Sequence, residues 1–117
     1  MSNLVAFDLA NPGTPELSKA APDRLIAGDP SYRTWKIEAA GHGAIRTGIW
    51  EATPGITHSI KGETWEYCTI LFGVIILTEE GGAARRFTTG DTFVMRPGFV
   101  GTWETVETVR KLWVAVS

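Results

Sequence analysis

The sequence predicts an all-β domain, an antiparallel arrangement closed into a barrel or doubled into a two-sheet sandwich. Three observations carry that prediction. From Thr34 onward, β-branched and aromatic residues recur in runs of five to eight. Glycine-bearing breaks separate the runs, at Gly41-His42-Gly43, Pro54-Gly55, Gly62, Gly73, Gly81-Gly82, Gly90 and Pro97-Gly98. Finally, so many short strands within 117 residues would leave exposed edges and half-covered faces in one flat sheet, and closure or a second layer removes them.

In chain order, residues 1–33 read as an arm packed on the barrel, because Pro12, Pro15, Pro22 and Pro30 interrupt both helix periodicity and sheet ladders. Within the arm a short strand is expected at Leu4–Phe7 and a turn or short helix near Pro15–Ala20. The barrel occupies residues 34–117. Its first strand, Thr34–Glu38, ends before the Gly41-His42-Gly43 turn, and Ala44–Thr53 runs from that turn to Pro54-Gly55. Ile56–Lys61 stops at Gly62, and Glu66–Phe72 stops at Gly73. Val74–Thr78 leads to the Gly81-Gly82 hairpin, Arg85–Thr88 to Gly90, and Thr92–Met95 to Pro97-Gly98. Gly101–Val106 and Val109–Val116 complete the set, and neither repeats nor low-complexity tracts occur.

Composition narrows the function classes. With 44% hydrophobic and 21% charged residues the chain fits one globular domain with a modest core. A formal net charge of -2 offers no basic footprint for nucleic acid and no anchor for an anionic membrane. Small molecules and protein partners remain. No charged segment followed by an apolar one opens the sequence and no apolar run reaches membrane length, so the expected compartment is the cytoplasm. Cys68 is the only cysteine, which excludes an intrachain disulfide and a multi-cysteine zinc site; its apolar setting marks it as buried filler rather than a reactive thiol.

Two blocks carry more specific information. The first is Trp65-Glu66-Tyr67-Cys68-Thr69-Ile70-Leu71-Phe72-Gly73, and the second runs Gly90-Asp91-Thr92-Phe93-Val94-Met95-Arg96-Pro97-Gly98-Phe99-Val100-Gly101-Thr102-Trp103-Glu104. Together with Gly48-Ile49-Trp50-Glu51-Ala52-Thr53-Pro54-Gly55 upstream and Val109-Arg110-Lys111-Leu112-Trp113-Val114 at the end, they resemble the cupins, small RmlC-like jelly-roll barrels (double-stranded β-helices). The resemblance covers about residues 44–116 and is closest to the subgroup holding the cupin domain of (S)-ureidoglycine aminohydrolase and the ethanolamine-utilization cupins. It implies a jelly-roll barrel and, by family habit, a homodimer, in which the proline-rich arm could cover a partner's sheet edge. Asp91, following Gly90, reads as a residue that bonds its own turn amides.

The resemblance also implies a metal site, and here the sequence departs from the pattern. Metal-binding cupins carry His-x-His-x3-4-Glu in the first block and a further histidine three positions after the late glycine of the second. Glu66 matches the carboxylate. The first-block histidine positions fall on Ser59 and Lys61, or on Ile60 and Gly62, and the second-block position falls on Gly101. His58 is the nearest histidine, but one residue of offset on a strand turns a side chain to the opposite face. No cofactor is therefore expected; were a divalent ion bound, Glu66 and His58 would be its ligands. His42, between two glycines, reads as a solvent residue.

A carboxylate facing a barrel interior must be protonated, hydrogen-bonded or paired. Lys61, at a former ligand position, is the candidate partner, so that its ammonium takes over the charge-balancing role of an ion. Glu63 suggests a carboxylate pair with Glu66, but their odd separation sets them on opposite faces, with Glu63 in the turn after Gly62. Trp65 and Tyr67 flank Glu66 on the other face, suited to packing between layers or to a subunit contact. If Arg110 is buried it requires an acid such as Glu104 or Glu107. The expected ligand-binding set is Glu66, Lys61, Trp50, Tyr67, Cys68 and Trp103, with no catalytic residue assigned. Two function classes follow: a small-molecule-binding module lacking the three-histidine site, or a metal-dependent enzyme on a small nitrogenous metabolite, similar to ureidoglycine aminohydrolase. That enzyme's arrangement uses two cupin repeats in one chain and this sequence reads as one, and fold kinship alone does not transfer activity.

Overall fold

A computed structural model describes residues 2–117, and every regular element among them is a β-strand. In order these are β1 (Glu16–Lys19), β2 (Leu25–Gly28), β3 (Ser31–Ala40), β4 (Ile45–Ala52), β5 (Gly55–Ile60), β6 (Trp65–Glu79), β7 (Arg85–Thr88), β8 (Thr92–Met95) and β9 (Val100–Val116). All pairings are antiparallel.

The architecture turns on two long strands. β6 has 15 residues and β9 has 17, and they run side by side from the Trp65–Val116 pair to the Glu79–Gly101 pair. The second half of β9 also pairs with β4, which carries β3 and then β1; its first half pairs with β5, which carries β2. β8 flanks the first half of β6 and β7 its second half. The result is a curled jelly roll in which two antiparallel layers share the bent strands β6 and β9.

The bend explains a difference from the sequence prediction, which split β6 at Gly73 and β9 near Glu107. Both strands pass through the bend unbroken. Gly73 takes φ of 97°, and a Cβ there would lie 2.3 Å from the Thr108 carbonyl oxygen, so only glycine lets the two backbones cross this closely. Register shifts between Ile70 and Ile75 absorb the turn while the ladder continues on both sides. Glycine here marks curvature within one strand rather than a strand end.

The arm also differs from expectation. Leu4–Phe7 is not a strand, and Pro15–Ala20 contains β1 rather than a turn or helix. The cause is an open ladder: β1 pairs with β3 from Glu16–Thr34 to Lys19–Ser31, and β2 pairs with β5, so both cover edges of their own chain's sheet rather than reaching away. The segment before β1 is held by side chains. Trp35 Nε1 donates to the Gly13 carbonyl at 2.8 Å, and Arg110 donates to the carbonyls of Leu9 and Ala10 at 3.1 and 3.3 Å. Trp35 and its ladder partner Ile49 are buried on this outer face. The interior is filled by a separate cluster that includes Cys68, Ile70, Ile75, Met95, Trp103 and Val109.

Candidate functional site

Strand alternation at the start of β6 sends Glu66, Cys68 and Ile70 inward. Glu66 is only 8% exposed, and an isolated carboxylate at that depth would be strongly disfavoured. Three donors satisfy it. Lys61 Nζ donates to Oε1 at 2.7 Å, Lys111 Nζ to Oε2 at 2.6 Å, and the Cys68 thiol to Oε2 at 2.9 Å.

Each donor is positioned by a different element. Lys61 follows β5 and is pinned by its backbone, its N–H donating to Phe99 O at 3.0 Å and its carbonyl accepting from Thr64 N–H at 3.0 Å. Lys111 lies on β9 in the same phase as Val109, Trp113 and Ala115, so its side chain enters the interior. There its ammonium stands 4.8 Å from the Trp50 ring centre and 4.7 Å from that of Trp103, so two indole faces as well as Glu66 stabilise its charge.

Electrostatics fix the protonation of the cluster. Burial pushes the Glu66 carboxyl upward, but the ammonium groups of Lys111 and Lys61 and the Cys68 hydrogen bond outweigh it and hold the group well below the ordinary carboxylate range. Burial alone would depress Lys111; the negative groups facing it, Cys68 when ionised and Glu66, hold its ammonium above the ordinary lysine value. Burial and the adjoining carboxylate push the Cys68 thiol up to about 12. At neutral pH the site is one carboxylate between two ammonium ions, backed by a neutral thiol.

This cluster forms part of the lining of a cavity of about 390 Å³, with Trp50, Trp103 and Trp113 supplying aromatic surface. Arg46 also borders it, donating to the Gly43 carbonyl at 2.6 Å and to Ser117 Oγ at 3.0 Å.

Of the residues expected from sequence, Glu66, Lys61, Trp50 and Trp103 come together on the lining. Cys68 stands behind Glu66 and is wholly buried, touching the site through its thiol alone. Tyr67 does not join them: strand alternation turns it to the outer face, where its hydroxyl accepts from Thr69 Oγ1 at 3.1 Å. His58 borders the cavity but is exposed, because alternation along β5 sends Thr57 and Ser59 the other way. His42 is an exposed turn residue at φ of 56°. Glu63 is exposed in the turn before β6 and forms no pair with Glu66. Arg110 takes Glu51, not Glu104 or Glu107, at 3.0 Å, since β4 and β9 set those two residues directly opposite. Asp91 Oδ2 accepts the Thr88 N–H at 2.8 Å, closing its own turn.

Sequence reading overlooked Lys111, Trp113 and Arg46 as lining residues. The signal for Lys111 was present, since it occupies the inward phase of a strand whose neighbours in that phase, Val109 and Trp113, are apolar. A lysine there must meet a buried counter-charge or unfold the strand.

The residues do not fit a divalent ion of the kind the family implies. Both Glu66 oxygens are taken by ammonium groups, and those cations would repel a metal. At Gly101 even a Cβ would lie 2.2 Å from the Thr78 carbonyl oxygen, so no imidazole has room at the second-block position. Among the described residues no three His, Cys, Asp or Glu side chains converge as a ligand set. No helix of the described residues is long and apolar enough to cross a membrane.

The profile of the EutQ-like cupin domain family matches residues 39–113. No curated protein matches the chain. Among solved structures, the chain is similar to a DUF861-family protein of unknown function from Pseudomonas syringae pv. tomato str. DC3000, at 25% identity and a TM-score of 0.82, over 94% of this chain and 46% of that one. It thus spans about half the length of that relative. A DUF861-family protein from Thermotoga maritima is 31% identical, with a TM-score of 0.52 over 56% of this chain and 73% of that one. A putative ethanolamine utilization protein Q from Salmonella typhimurium LT2 shares the fold at 16% identity, with a TM-score of 0.65 over 89% of this chain and 98% of that one. The interior phase of the two long strands, the glycine-permitted bend and the matched residues agree, and the chain belongs to the EutQ-like cupin domain family, with an RmlC-like jelly-roll fold.

Proposed function

We propose that this chain is a small-molecule-binding module whose barrel receives an organic ligand over the Lys61–Glu66–Lys111 triad, without a metal. One observation carries the reading: both oxygens of the carboxylate that a metal would need are bonded to lysine ammonium groups, at 2.7 and 2.6 Å, inside a cavity of about 390 Å³. That volume and the tryptophan surface suit a compact organic molecule. The alternative, a metal-dependent enzyme on a small nitrogenous metabolite, requires ligands that the cavity does not present.

Metal analysis of protein purified without added ions, paired with native mass spectrometry, tests the proposal. The expected result is no stoichiometric divalent metal, together with saturable binding of small molecules read by tryptophan fluorescence. Stoichiometric manganese, zinc or iron that disappears in Glu66→Gln would replace this reading with the enzyme.

For association we propose a homodimer, supported by an outward apolar row on β6, β8 and β9 that includes Trp65, Tyr67, Val94 and Val114, Val94 being 42% exposed. Light scattering giving a mass near 12.7 kDa would remove it.

A further inference from the structure

The cavity carries more positive than negative charge. Lys61, Lys111 and Arg46 border it, and among the described lining residues Glu66 is the only acid. Glu66 neutralises one of the two ammonium ions that it bridges, so one positive charge at the buried centre has no counter-charge among the described residues. The excess is local, because the chain as a whole is at -2. Each ammonium donates to a single side-chain acceptor, Glu66, and retains further N–H donors. The indole faces beside Lys111 attract its charge but accept no such hydrogen bond in the manner of an oxygen.

From this imbalance we infer that the cavity takes a small organic carboxylate, its head meeting the free donors of Lys61 and Lys111 and its body lying against Trp50 and Trp113. The inference rests on the binding-module reading and names the ligand class for the same cavity. A monoanion matches the single uncompensated charge of the Lys61–Glu66–Lys111 triad; Arg46 raises the excess of the whole lining to two, but its guanidinium is already bonded to Gly43 O and Ser117 Oγ, so a phosphate monoester, carrying about -1.5 to -2 at neutral pH, overshoots what the triad itself offers. Wall chemistry calls for an organic body, since three tryptophans gain little from a bare inorganic ion. Arg46, whose side chain bonds only neutral oxygens, adds positive potential that draws an anion inward.

Titration of the full chain with four probes that share a phenyl ring, read by tryptophan fluorescence and calorimetry, tests the inference: benzoate, benzamide, benzylammonium and phenyl phosphate. Benzoate is expected to bind at least about tenfold more tightly than benzamide, the difference one charge-assisted hydrogen bond makes, and benzylammonium not at all. Lys61→Met should reduce the benzoate preference about tenfold, weakening benzoate more than benzamide, whose neutral carbonyl loses only an uncharged acceptor's bond. Glu66→Gln should shift the other way, tightening benzoate, because it removes the only acid among the described lining residues; a merely structural carboxylate predicts no such gain. Equal binding of benzoate and benzamide overturns the carboxylate inference and leaves the binding module standing. Tighter binding of phenyl phosphate than of benzoate also overturns it. Failure of all four probes overturns both readings.

Discussion

Lys111 Nζ lies 2.6 Å from Glu66 Oε2 although 45 residues separate them in the chain. The β6–β9 register does not place them opposite each other: Glu66 faces Ala115, and Lys111 faces Ile70. Two long side chains converge along the inner surface of a curled sheet, and the ammonium settles between the carboxylate and two indoles. A buried ion pair of this kind is costly to break from one side, because the surviving charge stays buried without its partner.

Glu66→Gln is therefore expected to destabilise the fold by about 3–5 kcal/mol, since it leaves two ammonium ions facing a neutral amide. Lys111→Met should cost less, because Lys61 and Cys68 still serve the carboxylate. Combining Glu66→Gln with Lys111→Met should cost less than the sum of the single changes. Urea unfolding of the four proteins checks the order, and strict additivity would show that the pair is not coupled.

Stability should depend on pH through the same group. The unfolded chain protonates Glu66 near 4.5, whereas the folded chain does so only well below that value. The pair's contribution is thus complete above about pH 4.5 and is lost as the pH falls further. On the alkaline side, unfolded Cys68 ionises near 9.0 and folded Cys68 near about 12, so stability falls as the pH rises past 9; Lys111, raised above 10.5, adds a loss of the same sign higher up. Melting curves from pH 3 to pH 10 check both limbs, and Glu66→Gln should flatten the acid one.

Cys68 should resist alkylation. It is fully buried, and its ionisation is pushed up to about 12, so the folded protein presents almost no thiolate at neutral pH. Iodoacetamide labelling followed by mass spectrometry should show modification at the rate of unfolding. Rapid labelling under native conditions would contradict the placement of the thiol behind Glu66.

Gly101→His should fail to restore a metal site. A Cβ at this position would lie 2.2 Å from Thr78 O and 2.9 Å from the Phe99 ring, so the β5–β9–β6 ladder must shift to admit any side chain. Gly101→Ala alone is expected to cost about 1–3 kcal/mol, the usual penalty of overpacking. Thermal melts with and without zinc check this; a variant that melts as the parent does and gains stability with the metal would refute it.

Arg110→Lys should loosen the arm while sparing the cavity. The guanidinium pairs with Glu51, donates to two arm carbonyls and stacks 4.9 Å from the Trp35 ring centre and 5.2 Å from that of Phe72, which an ammonium cannot reproduce in one position. Faster hydrogen exchange confined to residues 2–14, with probe binding unchanged, is the expected outcome.

Turn chemistry and strand phase are local properties, and for that reason the all-β class, most strand positions and the inward direction of Glu66 could be read from the residues themselves. Lys61 was legible as its partner because a short turn joins the two. The sequence alone also revealed that the histidines of a metal site are missing at Ser59, Lys61 and Gly101. What only the tertiary structure decided is which distant groups meet. Lys111 reaches Glu66, and Arg110 takes Glu51 and the arm, because barrel closure sets β9 between β4, β5 and β6 at once. Likewise Gly73 carries a bend through β6 rather than ending it, since the crossing Thr108 backbone, remote in sequence, is what demands the missing Cβ.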